Sequence, residues 1–201
     1  GDQVYRIEFS PDGNHILAAS YNGTARIWDF KTGRPVSDWM VHSNQIHTAR
    51  YSPEGRWIVT TGFDRAIKLW DARIGAQVPV EMNHPLEEYG VHVAHFVPNR
   101  DQLLTASVKG KIRIWTIPEG RLIKQIDSGE NYLTEVLIDP TGERFVNLGK
   151  ARVGVWRIKD WTKELELEQD LAIWSGQFSA DGKRLITASQ DRHDETRVWD
   201  I

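Results

Sequence analysis

Tryptophan returns along this chain on a nearly constant step. An aliphatic–Trp pair stands at Ile27-Trp28-Asp29, Leu69-Trp70-Asp71, Ile114-Trp115-Thr116, Val155-Trp156-Arg157 and Val198-Trp199-Asp200, with steps of 42, 45, 41 and 43 residues. A second landmark, an aromatic or apolar residue entering a turn, recurs at Phe9-Ser10-Pro11-Asp12-Gly13, Tyr51-Ser52-Pro53-Glu54-Gly55, Phe96-Val97-Pro98-Asn99-Arg100, Ile138-Asp139-Pro140-Thr141-Gly142 and Phe178-Ser179-Ala180-Asp181-Gly182. Its steps are 42, 45, 42 and 40. Two independent series on one period define five repeats. A unit this small cannot bury its apolar face alone and must stack on its neighbours.

The repeats carry the marks of antiparallel strands. Pro presets φ and Gly tolerates positive φ, so Pro-Asp-Gly and its variants favour tight turns. Their flanks are short runs rich in β-branched and aromatic residues, as in Tyr5–Phe9, His15–Ala19, Thr24–Trp28, Trp57–Thr61 and Ala66–Trp70. A weaker fourth strand is expected after each Trp, over Pro35–Val41, Gln77–Met82 and Arg121–Ile126. Lys163 to Glu168 alternates charge with Leu and reads as an edge strand facing water, a short helix being the alternative. Four strands per repeat make a propeller blade, which predicts an all-β chain in a single domain spanning 1–201. The blades fall at about 3–41, 42–84, 85–129, 130–168 and 169–201.

Charge narrows the function. The 201 residues hold 25 basic and 28 acidic side chains for a net charge of −3, which supplies no field for nucleic acid or an anionic membrane. There is no cysteine, so disulfides and thiolate metal sites are excluded. No apolar run approaches the roughly 20 residues of a membrane span. The chain opens on Gly1-Asp2-Gln3 without an initiator Met, so its N-terminus reads as truncated. A cytoplasmic location is expected, with no targeting signal behind it.

Period and Trp-Asp strand ends together resemble the WD-repeat (WD40) β-propeller family over the whole chain. The style of units such as Gly23-Thr24-Ala25-Arg26-Ile27-Trp28-Asp29 is similar to bacterial members. The resemblance implies a buried relay in each blade, from a turn Asp to a His, from the His to a Ser or Thr, and from that hydroxyl to the Trp indole. Burying these groups together satisfies each of them. Only the second repeat carries the set, as His42, Thr60, Asp64 and Trp70. The first has Ala18 at the hydroxyl position. The third keeps Thr105 and Trp115 but displaces His84 and puts Lys109 at the Asp position. The fourth has Val146, Lys150 and Trp156; the fifth keeps Thr187, Asp191 and Trp199, with Gln169 near the His position. Four incomplete relays predict that packing of aliphatic faces, such as Ile67/Leu69 and Ile112/Ile114, supplies most of the stability.

Family propellers close by lending an outer strand to the other end of the chain, and the last repeat stops just after its third strand. The resemblance therefore implies a partial, open propeller, with a five-bladed ring as the alternative. An open arc exposes apolar faces on its terminal blades, and self-association or contact with flanking domains is expected there.

Family ligands dock where the loops before strand one and the turns after strand two converge. Counting from the landmarks places Tyr5, Tyr21, His47, Phe63, His92, Tyr132 and Trp174 on that face. Such rings suit a protein or peptide partner, because they supply contact area at low side-chain entropy cost. The alternative is that several of them pack against loop neighbours. No metal or other cofactor is expected: strand alternation would send His92 and His95 to opposite faces, and His193-Asp194-Glu195 reads as a solvated insertion. No phosphate loop or nucleophile elbow is present, so the chain is expected to be a non-enzymatic interaction scaffold. Two alternatives remain: a regulatory or sensing tail of a larger protein whose kinase or signalling ATPase domain lies elsewhere, and, more poorly, the propeller domain of a hydrolase.

Overall fold

Five antiparallel sheets follow one another along the chain in a computed structural model that describes residues 3–85, 88–150, 152–169, 172–189 and 196–201. The first contains β1 (Val4–Phe9), β2 (His15–Ser20), β3 (Thr24–Asp29) and β4 (Met40–Val41). The second contains β5 (Ile46–Tyr51), β6 (Trp57–Gly62), β7 (Ala66–Asp71), β8 (Ala76–Gln77) and β9 (Met82–Asn83). The third runs through β10 (Val91–Phe96), β11 (Gln102–Ser107), β12 (Lys111–Thr116) and β13 (Leu122–Asp127). The fourth runs through β14 (Leu133–Ile138), β15 (Arg144–Gly149), β16 (Arg152–Arg157) and β17 (Thr162–Glu168). The fifth has β18 (Ile173–Phe178), β19 (Arg184–Ser189) and β20 (Thr196–Asp200). Asp191 and the His193–Glu195 insertion lie outside the described residues.

The five periodic tryptophans are structurally equivalent. Each pairs with the second residue of the preceding strand: Trp28 with Ile16, Trp70 with Ile58, Trp115 with Leu103, Trp156 with Phe145 and Trp199 with Leu185. Pleating sends that side chain to the seam with the preceding blade. Trp70 therefore packs with Leu17 and Ile27 of blade one, and Trp115 with Val59, Ile67 and Leu69 of blade two. Trp156 meets Ile112 and Ile114, and Trp199 meets Val153 and Val155. Four apolar seams join five blades, and burial at ~25 cal/mol per Å² is their driving term.

In two blades the outer strand is broken where one continuous strand was expected. Pro35 contributes a single bridge to Trp28 before the chain departs and rejoins at Met40. In blade two, β8 and β9 both pair with β7, at opposite ends, with Pro79 between them. Proline has no N–H to give a ladder, so the edge lifts off there. The alternating segment at Lys163 is strand β17, with most of its side chains in solvent.

The arc is open. Cross-strand partners Ile7 and Ala18, and Phe9 and Ile16, define the face of blade one that turns away from blade two. Ile7 is 72% and Phe9 53% exposed. On blade five the outward pair is Ile186 and Val198, 43% and 63% exposed.

Candidate interaction face

The same irregularity recurs at the start of every blade. Register shifts fall between Val4 and Arg6, Ile46 and Thr48, Val91 and Val93, Leu133 and Glu135, and Ile173 and Ser175. The extra residue is in turn Tyr5, His47, His92, Thr134 and Trp174. A bulge leaves one residue outside the ladder and re-aims its side chain. Ile46, Val91, Leu133 and Ile173, just before the bulge, are buried in the seams, while Val4 on the open edge is exposed.

The ring-bearing residues expected on the docking face are contiguous. Tyr5 rests on Tyr21 with centroids 4.5 Å apart, and His47 sits 4.0 Å from Phe63 and 4.7 Å from His92. Tyr5, His92, Tyr132 and Trp174 line one cleft of about 320 Å³ at the inner ends of the blades. Tyr132 and Trp174 are 52% and 57% exposed.

Sequence reasoning missed the charged floor of that cleft. Arg6, Arg50, Glu135 and His95 line it as well. His92 and His95 were expected on opposite faces, but the bulge at His92 breaks the alternation and both border this one space. A pattern of basic side chains three and five places into the inner strands (Arg6, Arg50, His95) was the available signal. Burial lowers all three histidines below their ordinary value, His47 to about 4 and His95 to about 3, and the neighbouring Arg6 pushes the same way. Ring atoms His47 Nε2, His92 Nδ1 and His95 Nε2 are buried without a hydrogen-bond partner.

Behind the face, the blades are held by relays of differing make. In blade two, His42 Nδ1 lies 2.9 Å from both Asp64 oxygens, its Nε2 lies 2.7 Å from Thr60 Oγ1, and Trp70 Nε1 donates to that hydroxyl at 2.8 Å. Blade three is equally complete, contrary to the sequence reading. His84 Nε2 lies 2.9 Å from Thr105 Oγ1, which also accepts from Trp115 Nε1 at 2.9 Å. The carboxylate comes from Glu88 rather than from the turn, 2.7 Å from His84 Nδ1. Lys109 has no part in it; it lies over the Tyr89 ring at 4.6 Å. In blade four the indole of Trp156 donates to Asn147 Oδ1 at 2.6 Å, so Asn147 and not Val146 holds the hydroxyl's position. In blade five Gln169 stands in for the histidine, accepting from Thr187 Oγ1 at 2.7 Å. Ala18 leaves blade one with none.

Comparison with known proteins agrees with this architecture. The family described as "WD domain, G-beta repeat" matches residues 1–29 and 33–71. Protein Notchless of Drosophila melanogaster is 36% identical over 196 residues, covering 88% of this chain and 39% of the relative. Periodic tryptophan protein 2 of Saccharomyces cerevisiae is 28% identical over 110 residues, covering 53% of this chain and 12% of that protein. U3 small nucleolar RNA-associated protein 12 of the same yeast is 29% identical over 110 residues, covering 52% of this chain and 11% of its own length. The chain thus spans well under half the length of these relatives, and their origins lend no support to a bacterial affiliation. With its equivalent tryptophans, blade relays and matched repeats, the chain belongs to the WD-repeat family of β-propeller proteins.

Proposed function

We propose that this chain is an interaction scaffold that performs no reaction of its own and docks a protein or peptide partner on the face formed by Tyr5, Tyr21, His47, Phe63, His92, Tyr132 and Trp174. The observation that carries this reading is the run of ring contacts, Tyr5 on Tyr21 and His47 on both Phe63 and His92, that leads into one cleft lined by Tyr5, His92, Tyr132 and Trp174 at the inner ends of the blades. Five of them, Tyr5, Tyr21, Phe63, Tyr132 and Trp174, remain at least 39% exposed, while the seams between the blades are filled by buried apolar side chains. Exposed aromatic rings gathered on a rigid scaffold are the composition of binding hot spots. A net charge of −3 favours protein over nucleic acid as the partner class.

The test is a paired capture experiment. Wild-type protein and the variant Phe63→Ser/Trp174→Ser are immobilised and compared for retained proteins, with melting curves on both. Loss of capture at an unchanged melting temperature is the expected result. Loss of fold in the variant would instead assign these rings to packing.

A further inference from the structure

The floor of the axial cleft has a chemistry that its aromatic rim does not share. Arg6 and Arg50 come from the inner strands of blades one and two, and both line it. Among the described residues, Arg73, Arg113, Arg144, Arg152, Arg157 and Arg184 each stand in an ion pair, and Arg6 and Arg50 do not. Glu135 is the single carboxylate in the lining. Burial raises Glu135 above its ordinary value, with Arg50 and the backbone of Gly176 acting against that rise. Glu8 faces Arg50 from the seam, where its carboxylate accepts the backbone N–H of Tyr51 at 3.0 Å. Neither guanidinium has a carboxylate of the described residues within ion-pairing distance; Glu8 and Glu135 act on both from farther off, and of those two only Glu135 lies in the cleft lining.

The second observation is the unsatisfied ring nitrogens. Two histidines of the lining each have a buried ring nitrogen without a partner, His92 Nδ1 and His95 Nε2, and His47, which packs on His92 outside the lining, has a third at Nε2. An orphaned buried polar atom keeps the cost of its lost hydration, and native proteins leave few of them unexplained. A neutral imidazole offers one donor and one acceptor. A bare anion satisfies donors alone, whereas a peptide brings N–H and C=O groups together.

We propose that the axial cleft receives an acidic side chain from an extended peptide segment of the docked partner. The carboxylate sits between Arg6 and Arg50, where planar guanidinium forks match its two oxygens. The peptide backbone meets the histidine nitrogens, and the segment's flanks lie on Tyr132 and Trp174. The inference rests on the docking reading above and adds the class of residue that anchors the partner.

A dye-labelled hexaglutamate peptide tests it by fluorescence anisotropy, with hexaglutamine and hexalysine as controls of the same length. Wild-type protein is expected to bind hexaglutamate at least about tenfold more tightly than either control, the weight of one charge-assisted contact. Arg6→Gln and Arg50→Gln should each weaken that binding by about tenfold. Arg6 is exposed, so its variant keeps the test valid if Arg50→Gln disturbs the seam. Equal affinity for hexaglutamine, preference for hexalysine, or indifference to Arg6→Gln would each overturn the proposal. Phe63 and Tyr21 do not line the cleft. Capture that depends on Phe63 and Trp174 while hexaglutamate fails to bind would therefore retain the docking face and discard the acidic anchor.

Discussion

Arg113 grips Glu88 through two nitrogens, Nη1 to Oε2 at 2.6 Å and Nη2 to Oε1 at 2.7 Å, inside blade three. The side chains are 5% and 9% exposed. Burial alone would raise Glu88, but the hydrogen bonds from Arg113 and His84 outweigh it and hold the carboxyl at about 2. Removing Arg113 leaves the Glu88 carboxylate buried with only His84 beside it. Arg113→Met should therefore destabilise the chain by roughly 3–5 kcal/mol in denaturant unfolding. The double variant Arg113→Met/Glu88→Met should recover part of that loss. A double variant no more stable than the single one would show that the two charges are not coupled.

Blade four solves the same packing problem with a larger group and a missing one. Asn147 pairs across the strands with Gly154, where the other blades carry Arg26, Lys68, Arg113 and Arg197. A Cβ at Gly154 would collide with Asn147 Oδ1 and stand 2.8 Å from Trp156 Nε1. Gly154→Ala should cost about 1–3 kcal/mol, the usual penalty of overpacking. Combining it with Asn147→Thr should relieve most of the loss in the same melts, because the shorter side chain makes room.

Acid should loosen the inner ends of the blades early. Burial lowers His47, His84, His92 and His95 below their ordinary value of 6.5, His47 to about 4 and His95 to about 3. The unfolded chain then takes up protons first, so stability is complete above about 6.5 and falls as pH drops toward those lower values. Glu88, held at about 2 against an ordinary 4.5, extends the loss from 4.5 downward with the same sign. Melting temperature measured from pH 7.5 to 4 should decline from near 6.5, and His95→Gln should flatten the decline. A stability profile level down to pH 4.5 would contradict the buried, neutral state of these rings.

The uncovered faces should make the isolated chain self-associate. Ile7 and Phe9 at one end, and Ile186 and Val198 at the other, present apolar sheet to water. Size-exclusion chromatography should show species larger than the 23.1 kDa monomer, growing with concentration. Ile7→Lys/Val198→Lys should return it to monomer. A clean monomer at high concentration without those substitutions would argue that the two faces are satisfied within one chain.

Local sequence determined the repeat, the strand alternation and the burial of pairs such as Ile67/Leu69 and Ile112/Ile114, because a strand's side-chain period and a turn's φ demands are set within a few residues. It also indicated the ring-bearing positions Tyr5, His47, His92 and Trp174. Three matters depended on the folded chain. Glu88 enters a relay whose turn position holds Lys109, because a loop between blades brings in a carboxylate that no fixed spacing announces. The bulge at His92 places His92 and His95 on one cleft, because extra residues in a ladder are counted only against the partner strand. The charged floor of Arg6 and Arg50 exists because two blades converge near the axis, and convergence between elements some 40 residues apart in sequence is a property of packing, not of neighbouring residues.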